Sequence, residues 1–263
     1  MKKYLVIFQI SLNRALAYRG VSVVFNTLFL INAFLNLAVW TVVLKSPEYR
    51  STESFATFIT YYIILLFVHQ LIQSYTGGMI ANEHIKHGEL SIYLLRPFPY
   101  LIFMYILELP WRLIQFLFSI PFAMVLIYFF HSIIKINIGF IILGIFIFPL
   151  AFTLSFLIQV FIAQFTFWFD DATGFLNAIE VLTLLFSGAG IPIFFLPPVL
   201  QQIGSLLPFQ YAMYFPIATI ANRLPLNVVI INYLILIVWV FVLGSVDIYL
   251  WKKGLTKFTG EGI

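Results

Sequence analysis

The sequence predicts an all-α polytopic membrane protein with six transmembrane helices, and three observations carry that prediction. Of its 263 residues, 62% are hydrophobic and only 9% are charged, where a soluble domain of this size carries charge on roughly a quarter of its positions. Apolar runs of about 20 residues recur along the chain, the length a helix needs to cross ~30 Å of hydrocarbon. These runs lack the period-2 alternation of membrane barrel strands. Cysteine is absent, which removes disulfides, thiol catalysis and thiolate metal sites.

Residues 1–20 carry Lys2, Lys3, Arg14 and Arg19 and no acid, while Leu5, Phe8, Leu12 and Leu16 recur at helical spacing. A greasy face beside a basic one predicts a helix in the interface of an anionic leaflet. A cleaved signal peptide fits less well, because the apolar core at residues 4–10 is short and Asn13, Arg14 and Arg19 interrupt the residues after it. The first span covers about residues 21–44, a polar loop residues 45–54, and the second span about residues 55–81.

Residues 82–97, NEHIKHGELSIYLLRP, hold the densest cluster of chargeable groups: Glu83, His84, Lys86, His87, Glu89 and Arg96. Polar groups are costly in hydrocarbon, so this segment lies outside the membrane or at its surface. Asn82 reads as an N-cap, Glu83 suits the first turn, and Arg96-Pro97 marks a stop. The expected element is a short surface helix weakened at Gly88, with Ile85, Ile92 and Leu95 roughly on one face. On pattern alone, a plain connecting loop explains the segment equally well.

Glu108 and Arg112 stand four apart, the spacing of a helical ion pair, and are placed near the interface. The third span covers about residues 113–130 with a kink at Pro121, and the fourth about residues 138–165. Asp170 and Asp171 mark a surface turn, the fifth span covers about residues 175–191 and the sixth about residues 226–251. Residues 192–225 contain six of the twelve prolines yet stay apolar. Repeated prolines remove backbone donors that lipid cannot replace, so the expectation is two short re-entrant helices, residues 198–207 and 211–223, dipping in from outside. The whole chain, residues 1–263, reads as one transmembrane domain.

Polar residues inside spans are the guide to a pathway. Asn32 and Asn36 share a face of the first span with Asn26 to one side. Ser155, Gln159 and Thr166 align on the fourth, and Asn177, Glu180, Thr183 and Ser187 form a stripe on the fifth. Interhelical hydrogen bonding explains such groups as well as a pathway does. The exception is Glu180, whose carboxylate must face protein or a cavity. His69, beside Gln70, is expected to be packed and hydrogen-bonded. Glu83, His84 and His87 are spaced too loosely for a metal and show no fourth ligand. No Ser-His-Asp set, nucleophile elbow, zinc-protease motif or phosphate-binding G-x-x-x-x-G-K-[ST] occurs.

Three stretches together resemble the membrane subunit of type 2 ATP-binding-cassette exporters. Glu83, Gly88, Leu90, Leu94, Leu95 and Pro97 look like the family's cytoplasmic pattern of an acid, a Gly-x-Leu and a Leu-Leu-x-Pro. Residues 191–216, with Ile-Pro, Leu-Pro-Pro and Leu-Pro-Phe, resemble its external re-entrant segment. The tail from Trp251 through Lys252, Lys253 and Gly254 to Gly260 and Gly262 looks like the end of a subgroup, to which the Leu-Leu-Arg-Pro form also points.

The resemblance implies a half-transporter in the cell membrane: a permease subunit exporting a hydrophobic or amphipathic substrate. A second permease copy or paralogue would complete the pore, and a cytoplasmic ATPase would bind the ATP and magnesium. No cofactor or metal is expected on this chain, and no nucleic-acid partner. By the same resemblance, Glu83, Gly88, Glu89, Leu90, Leu94, Leu95, Arg96 and Pro97 form a coupling helix that enters the ATPase. Asn32, Asn36, Gln159, Asn177, Glu180 and Ser187 are the pathway candidates. The competing class is a non-transport membrane enzyme or anchoring subunit.

Six spans put both termini on one side. The segments on that side hold ten Lys and Arg against four opposite, so the termini and residues 82–112 are expected in the cytoplasm. A cysteine introduced as Ser91→Cys should resist an impermeant thiol reagent in intact cells, whereas Gln202→Cys should react. The reverse labelling pattern contradicts this orientation.

Overall fold

Backbone polar groups in hydrocarbon must be bonded within the chain, and the protein meets that demand with helices throughout. The computed structural model describes residues 2–45, 55–132, 134, 137–169 and 173–260, and no strand occurs among them. Asp170 and Asp171 lie outside the described residues. The elements are α1 (Lys2–Ala17), α2 (Arg19–Lys45), α3 (Phe55–Ile72), α4 (Thr76–Met79), a π-helical segment (Ile80–Lys86) and α5 (Leu90–Leu94). They continue as α6 (Tyr100–Phe130), α7 (Ile138–Gln164), α8 (Thr173–Phe186), α9 (Pro198–Leu206), α10 (Phe209–Ala212), α11 (Tyr214–Ile220) and α12 (Leu226–Leu255).

Five helical stretches among the described residues are long and apolar enough to cross a membrane: Arg19–Trp40, Ala56–Lys86, Tyr100–Phe130, Ile138–Phe167 and Leu226–Leu255. The expected fifth span at residues 175–191 is shorter than foreseen. Helix α8 stops at Phe186, because Gly188 takes a left-handed φ of 78° and Pro192 follows. Even so, the chain changes ends here. Before α8, Phe167 packs on Trp251 and Phe258. After it, Phe195 stacks on Trp40 at 4.8 Å and nears Phe58, at the far ends of α2 and α3. Short helices do form in the proline-rich stretch. Tyr61 of α3 donates to the Gly188 carbonyl at 2.9 Å and packs on Phe194 and Tyr214 at 5.5 and 6.0 Å, so this stretch is fastened to α3.

Two buried clusters divide the molecule. The larger joins α3, α7, α10, α11 and α12 through side chains such as Phe58, Tyr61, Ile147, Leu154, Tyr211 and Leu236. The smaller lies at the other end and joins α1, the π-helical segment, α5, α6, α7 and α12 through Ile7, Ile80, Ile85, Leu90, Tyr100, Phe156 and Trp251. Tyr100 and Trp251 stack at 4.7 Å in its middle.

Helix α1 packs in the same direction as the first part of α6. Lys3 reaches the Pro97 carbonyl, and Ser11 Oγ donates to the Leu107 carbonyl. Farther along, Phe34 of α2 meets Phe122 edge-on at 5.2 Å, so α2 continues the same course. The protein-facing stripe of α1 is Ile7, Ser11 and Ala15, while Leu5 and Leu16 remain exposed. Leu5 and Leu16 of the greasy face therefore point away from the protein, where lipid can cover them, while Phe8 and Leu12 are half-buried.

Residues 82–97 do not form the single helix the sequence suggests. Asn82 sits inside the π-helical segment rather than at a cap, and its carbonyl accepts from the His87 N–H five residues on, at 3.1 Å. Gly88 then adopts a φ of 77°, a turn open to glycine because it has no Cβ, and α5 starts afresh. Ile85 is consequently buried, whereas Ile92 and Leu95 are 59% and 88% exposed, so the three do not share a face.

Close approach of α4 to α7 depends on Gly77. A Cβ there would run into Gln159 Oε1 and lie 3.0 Å from the Gln159 backbone oxygen, whereas one on Gly78 meets nothing within 4 Å. A side chain can swing away but the α7 backbone cannot. Gly77→Ala should destabilise the protein by ~1–3 kcal/mol through overpacking. Gly78→Ala should be neutral or stabilising, since glycine weakens a helix. Thermal unfolding of both variants in detergent checks this; equal behaviour would contradict close packing at Gly77.

Candidate functional site

The segment at residues 80–97 presents one buried side and one exposed side. Leu90 is fully buried, and Gly88 makes the turn that admits it. Glu83, Glu89, Arg96 and Pro97 are exposed, and Leu94 and Leu95 are 43% and 88% exposed. The Arg96 guanidinium lies over Tyr93 at 4.8 Å and near Phe103 at 5.4 Å. His84 is buried, shares a short hydrogen bond with the Tyr100 hydroxyl and packs on Tyr93 at 4.4 Å. Ligand-capable atoms of Glu83, His84 and Glu89 come within 4.8 Å of one another, so Glu89 rather than His87 joins the first two.

This segment is the continuation of the second span, and that span is broken. α3 ends at Ile72, residues 73–75 are not helical, and α4 starts at Thr76. A break leaves carbonyls at one helix end and N–H groups at the next without partners. α6 supplies what is missing. Glu108 Oε1 accepts from the Tyr75 N–H at 3.0 Å, and Oε2 accepts from Ser74 Oγ at 2.7 Å and Thr76 Oγ1 at 3.4 Å. One turn on, Arg112 Nη1 donates to the Gln73 carbonyl at 3.0 Å. α7 adds Ser155 Oγ, which accepts from the Ser74 N–H at 3.0 Å.

The signs match the helix ends. The carboxylate faces the positive N-terminus of α4, and the guanidinium faces the negative C-terminus of α3. Glu108 and Arg112 also face each other at 3.7 Å, both buried, so the expected ion pair forms but is enclosed by protein. Tyr75, held between them, places its ring 5.1 Å from the Arg112 guanidinium.

Beside this joint lies the site that the polar residues of the spans predict. A cavity of about 650 Å³ is lined by Gln159, Asn177, Glu180, Thr183 and Ser187, together with His69, Gln73 and Tyr75. A neighbouring cavity shares His69 and Tyr75 and is lined by Asn36. The structure thus brings together the stripe on α8 and Gln159 on α7, with Asn36 close by. The Asn32 side chain lies outside the described residues. Ser155 does not line this cavity and serves the break instead. His69 stacks on Phe29 at 4.6 Å, but its Nδ1 has no hydrogen-bond partner, which departs from the hydrogen-bonded histidine expected.

Two features escape the sequence reading. Tyr75 borders this cavity, its neighbour and two others, yet reads as an ordinary residue of an apolar run. Asp247 is buried in α12, where Gln164 Nε2 donates to its carbonyl at 3.3 Å and to Oδ1 at 3.4 Å. Its signal is present, since a carboxylate within a span must be enclosed.

The fold thus defines an all-helical, multi-spanning membrane protein with a polar cavity among its helices and an exposed apolar segment at one end. Residues 30–262 match the family model described as ABC-2 family transporter protein. The chain belongs to that family and is the permease subunit of an ABC transporter, a multi-pass cell-membrane protein that works with an ABC ATPase partner. No curated protein and no solved structure matches it.

Removing one member of a buried pair leaves the other uncompensated, at ~3–5 kcal/mol. Glu108→Ala should lower stability by that order, because Ser74, Tyr75 and Thr76 lose an acceptor and Arg112 loses its ion-pair partner. Glu108→Gln, which keeps one acceptor oxygen, should lose clearly less. Unfolding midpoints of the purified proteins provide the check, and a wild-type midpoint for Glu108→Ala would contradict the role given to the pair.

Proposed function

We propose that the chain is one half of an exporter for a hydrophobic or amphipathic substrate. Two permease subunits, identical or paralogous, form the pore, and ATP and magnesium are bound by the separate ATPase. The observation that carries this reading is the convergence of Gln159, Asn177, Glu180 and Ser187 on one cavity beside the broken second span. The polar atoms orient a substrate headgroup, and the apolar lining from Val181 and Leu184 accepts its greasy part. Asn177 and Glu180 are exposed on the isolated chain, the position expected of residues that face a second subunit across a pore.

Both termini and residues 82–97 lie in the cytoplasm in this reading, following the charge asymmetry. The change of ends between Phe167 and Phe195 supports a sixth crossing in this reading, through α8 and the turn after it. Residues 192–225 then lie outside. The coupling segment docks on the ATPase through Leu94, Leu95 and Ile92, with Glu83, Glu89 and Arg96 at the rim. Leu90 and Ile85 anchor it in the smaller core. ATPase movement therefore reaches a segment rigidly joined to Thr76, and through the break to the cavity wall.

Burying Leu94 or Leu95 against the ATPase contributes roughly 1.5–3 kcal/mol each, whereas surface ion pairs contribute ~0–1 kcal/mol. Leu94→Asp and Leu95→Asp should each reduce co-purification of the ATPase and transport at least tenfold, with Lys86→Ala milder. All three variants should insert normally, because Leu94 and Leu95 lie outside the candidate spans and Lys86 is the last residue of one. ATPase retention and substrate-stimulated hydrolysis at wild-type levels in both leucine variants would defeat the docking role.

A further inference from the structure

The polar cavity beside the broken span carries a charge that no neighbour balances. Of the residues lining it, Glu180 is the only acid, and no Lys or Arg is among them. Its polar company is neutral: the Gln159 and Asn177 amides and the Thr183 and Ser187 hydroxyls. Among the described residues Glu180 has neither an ion-pair nor a hydrogen-bond partner, since the one salt bridge joins Arg112 to Glu108. His69 also lines the cavity, but its enclosed Nδ1 meets no acceptor. An imidazolium would need an acceptor for each of its two N–H groups, so His69 does not supply the missing positive charge.

A second copy of the chain does not supply it either. Helix α8 contains no Lys, Arg or His. Away from the ends of the candidate spans, Arg112 is the only Lys or Arg, and it is buried against Glu108. Glu180 stands at the middle of α8, and a carboxylate at such a depth calls for a counter-charge or water. The surroundings favour a particular kind of counter-charge. A neighbouring cavity, also of about 650 Å³, shares Val181 and Leu184 with this one and adds Phe29, Tyr62, Leu65 and Leu66. A largely apolar chamber thus adjoins the charged one, and together they fit a molecule with a positive head and a greasy tail.

We propose that Glu180 makes the pathway selective for cationic amphiphiles: an ammonium headgroup sits on the Glu180 carboxylate, and its hydrocarbon tail lies in the neighbouring cavity. The side-chain carbonyls of Gln159 and Asn177 accept the remaining ammonium hydrogens. This names the substrate class of the pathway described above and rests on that reading. The ammonium N–H donates to a carboxylate oxygen within a span, where low dielectric strengthens a charge-assisted bond. The same carboxylate repels an anionic headgroup and gives a neutral one only an ordinary hydrogen bond.

The test is equilibrium binding of three tritiated probes to the purified permease–ATPase complex in dodecyl maltoside, an uncharged detergent. The probes are dodecylammonium, N-dodecylacetamide and dodecanesulfonate, alike in tail and different in charge. Wild type should bind dodecylammonium about tenfold more tightly than the acetamide, as a charge-assisted over a neutral hydrogen bond predicts, and the sulfonate least. Glu180→Gln should erase that preference by weakening the ammonium probe while leaving the acetamide unchanged, and Glu180→Asp should keep most of it. Val181→Trp, which fills the cavity from an exposed position, should weaken binding of dodecylammonium and the acetamide alike. Equal affinity for the three probes, absence of binding included, overturns the charge selection, as does an ammonium preference that persists in Glu180→Gln. The cavity itself remains a binding site in that case if Val181→Trp still weakens the probes. Binding untouched by Val181→Trp puts the probes elsewhere and overturns the pathway reading together with the selectivity.

Discussion

The structure depends on one buried pair, Glu108 and Arg112, meeting the two open ends of a broken helix. A break inside a span is costly because lipid offers no hydrogen bonds to the backbone groups it frees. Here the groups at residues 73–76 are bonded by a carboxylate, a guanidinium and Ser155 Oγ from two neighbouring helices. The pair also satisfies the charges of the two helix ends. Without its partner either member would be a buried, uncompensated charge, and the break would lose the groups that bond it.

The break matters because of what lies on either side of it. On one side α3 runs into the larger core, with Tyr61 tied to Gly188. On the other, α4 and the π-helical segment lead into the smaller core with Ile80, Ile85 and Leu90. A continuous helix would join these two bodies as one rod. With the break, each keeps its own packing, and the α6 pair sets how they meet. Tyr75 stands at that meeting point and borders the polar cavity, so the joint touches the cavity wall directly.

Much of this is legible in the sequence, and the rest is hidden for physical reasons. The spacing of Glu108 and Arg112 gives away their contact, and the stripe from Asn177 to Ser187 gives away a shared face, because helical periodicity fixes both. Their convergence with Gln159 is tertiary and cannot be read from one helix. The break at residues 73–75 is hidden because Gln-Ser-Tyr carries no proline or glycine; its cause, a carboxylate on another helix, lies 33 residues from Tyr75. Gly88 is visible as a weak point, but only the left-handed turn reveals that Ile85 and Leu95 face opposite ways. Ser155 reads equally as glue or lining, and the structure assigns it to the backbone of Ser74.

The central claim is that motion passes from the coupling segment to the cavity through the joint held by Glu108. The chain has no native cysteine, so spin labels at Asn177→Cys in both copies of the proposed two-subunit pore report the cavity width. Pulsed electron resonance distances should be recorded on the permease–ATPase complex, nucleotide-free and trapped with ATP. The account predicts a shift of several Å on trapping in the otherwise wild-type protein, lost in Glu108→Gln although the ATPase still binds nucleotide. An identical shift in both proteins would contradict it.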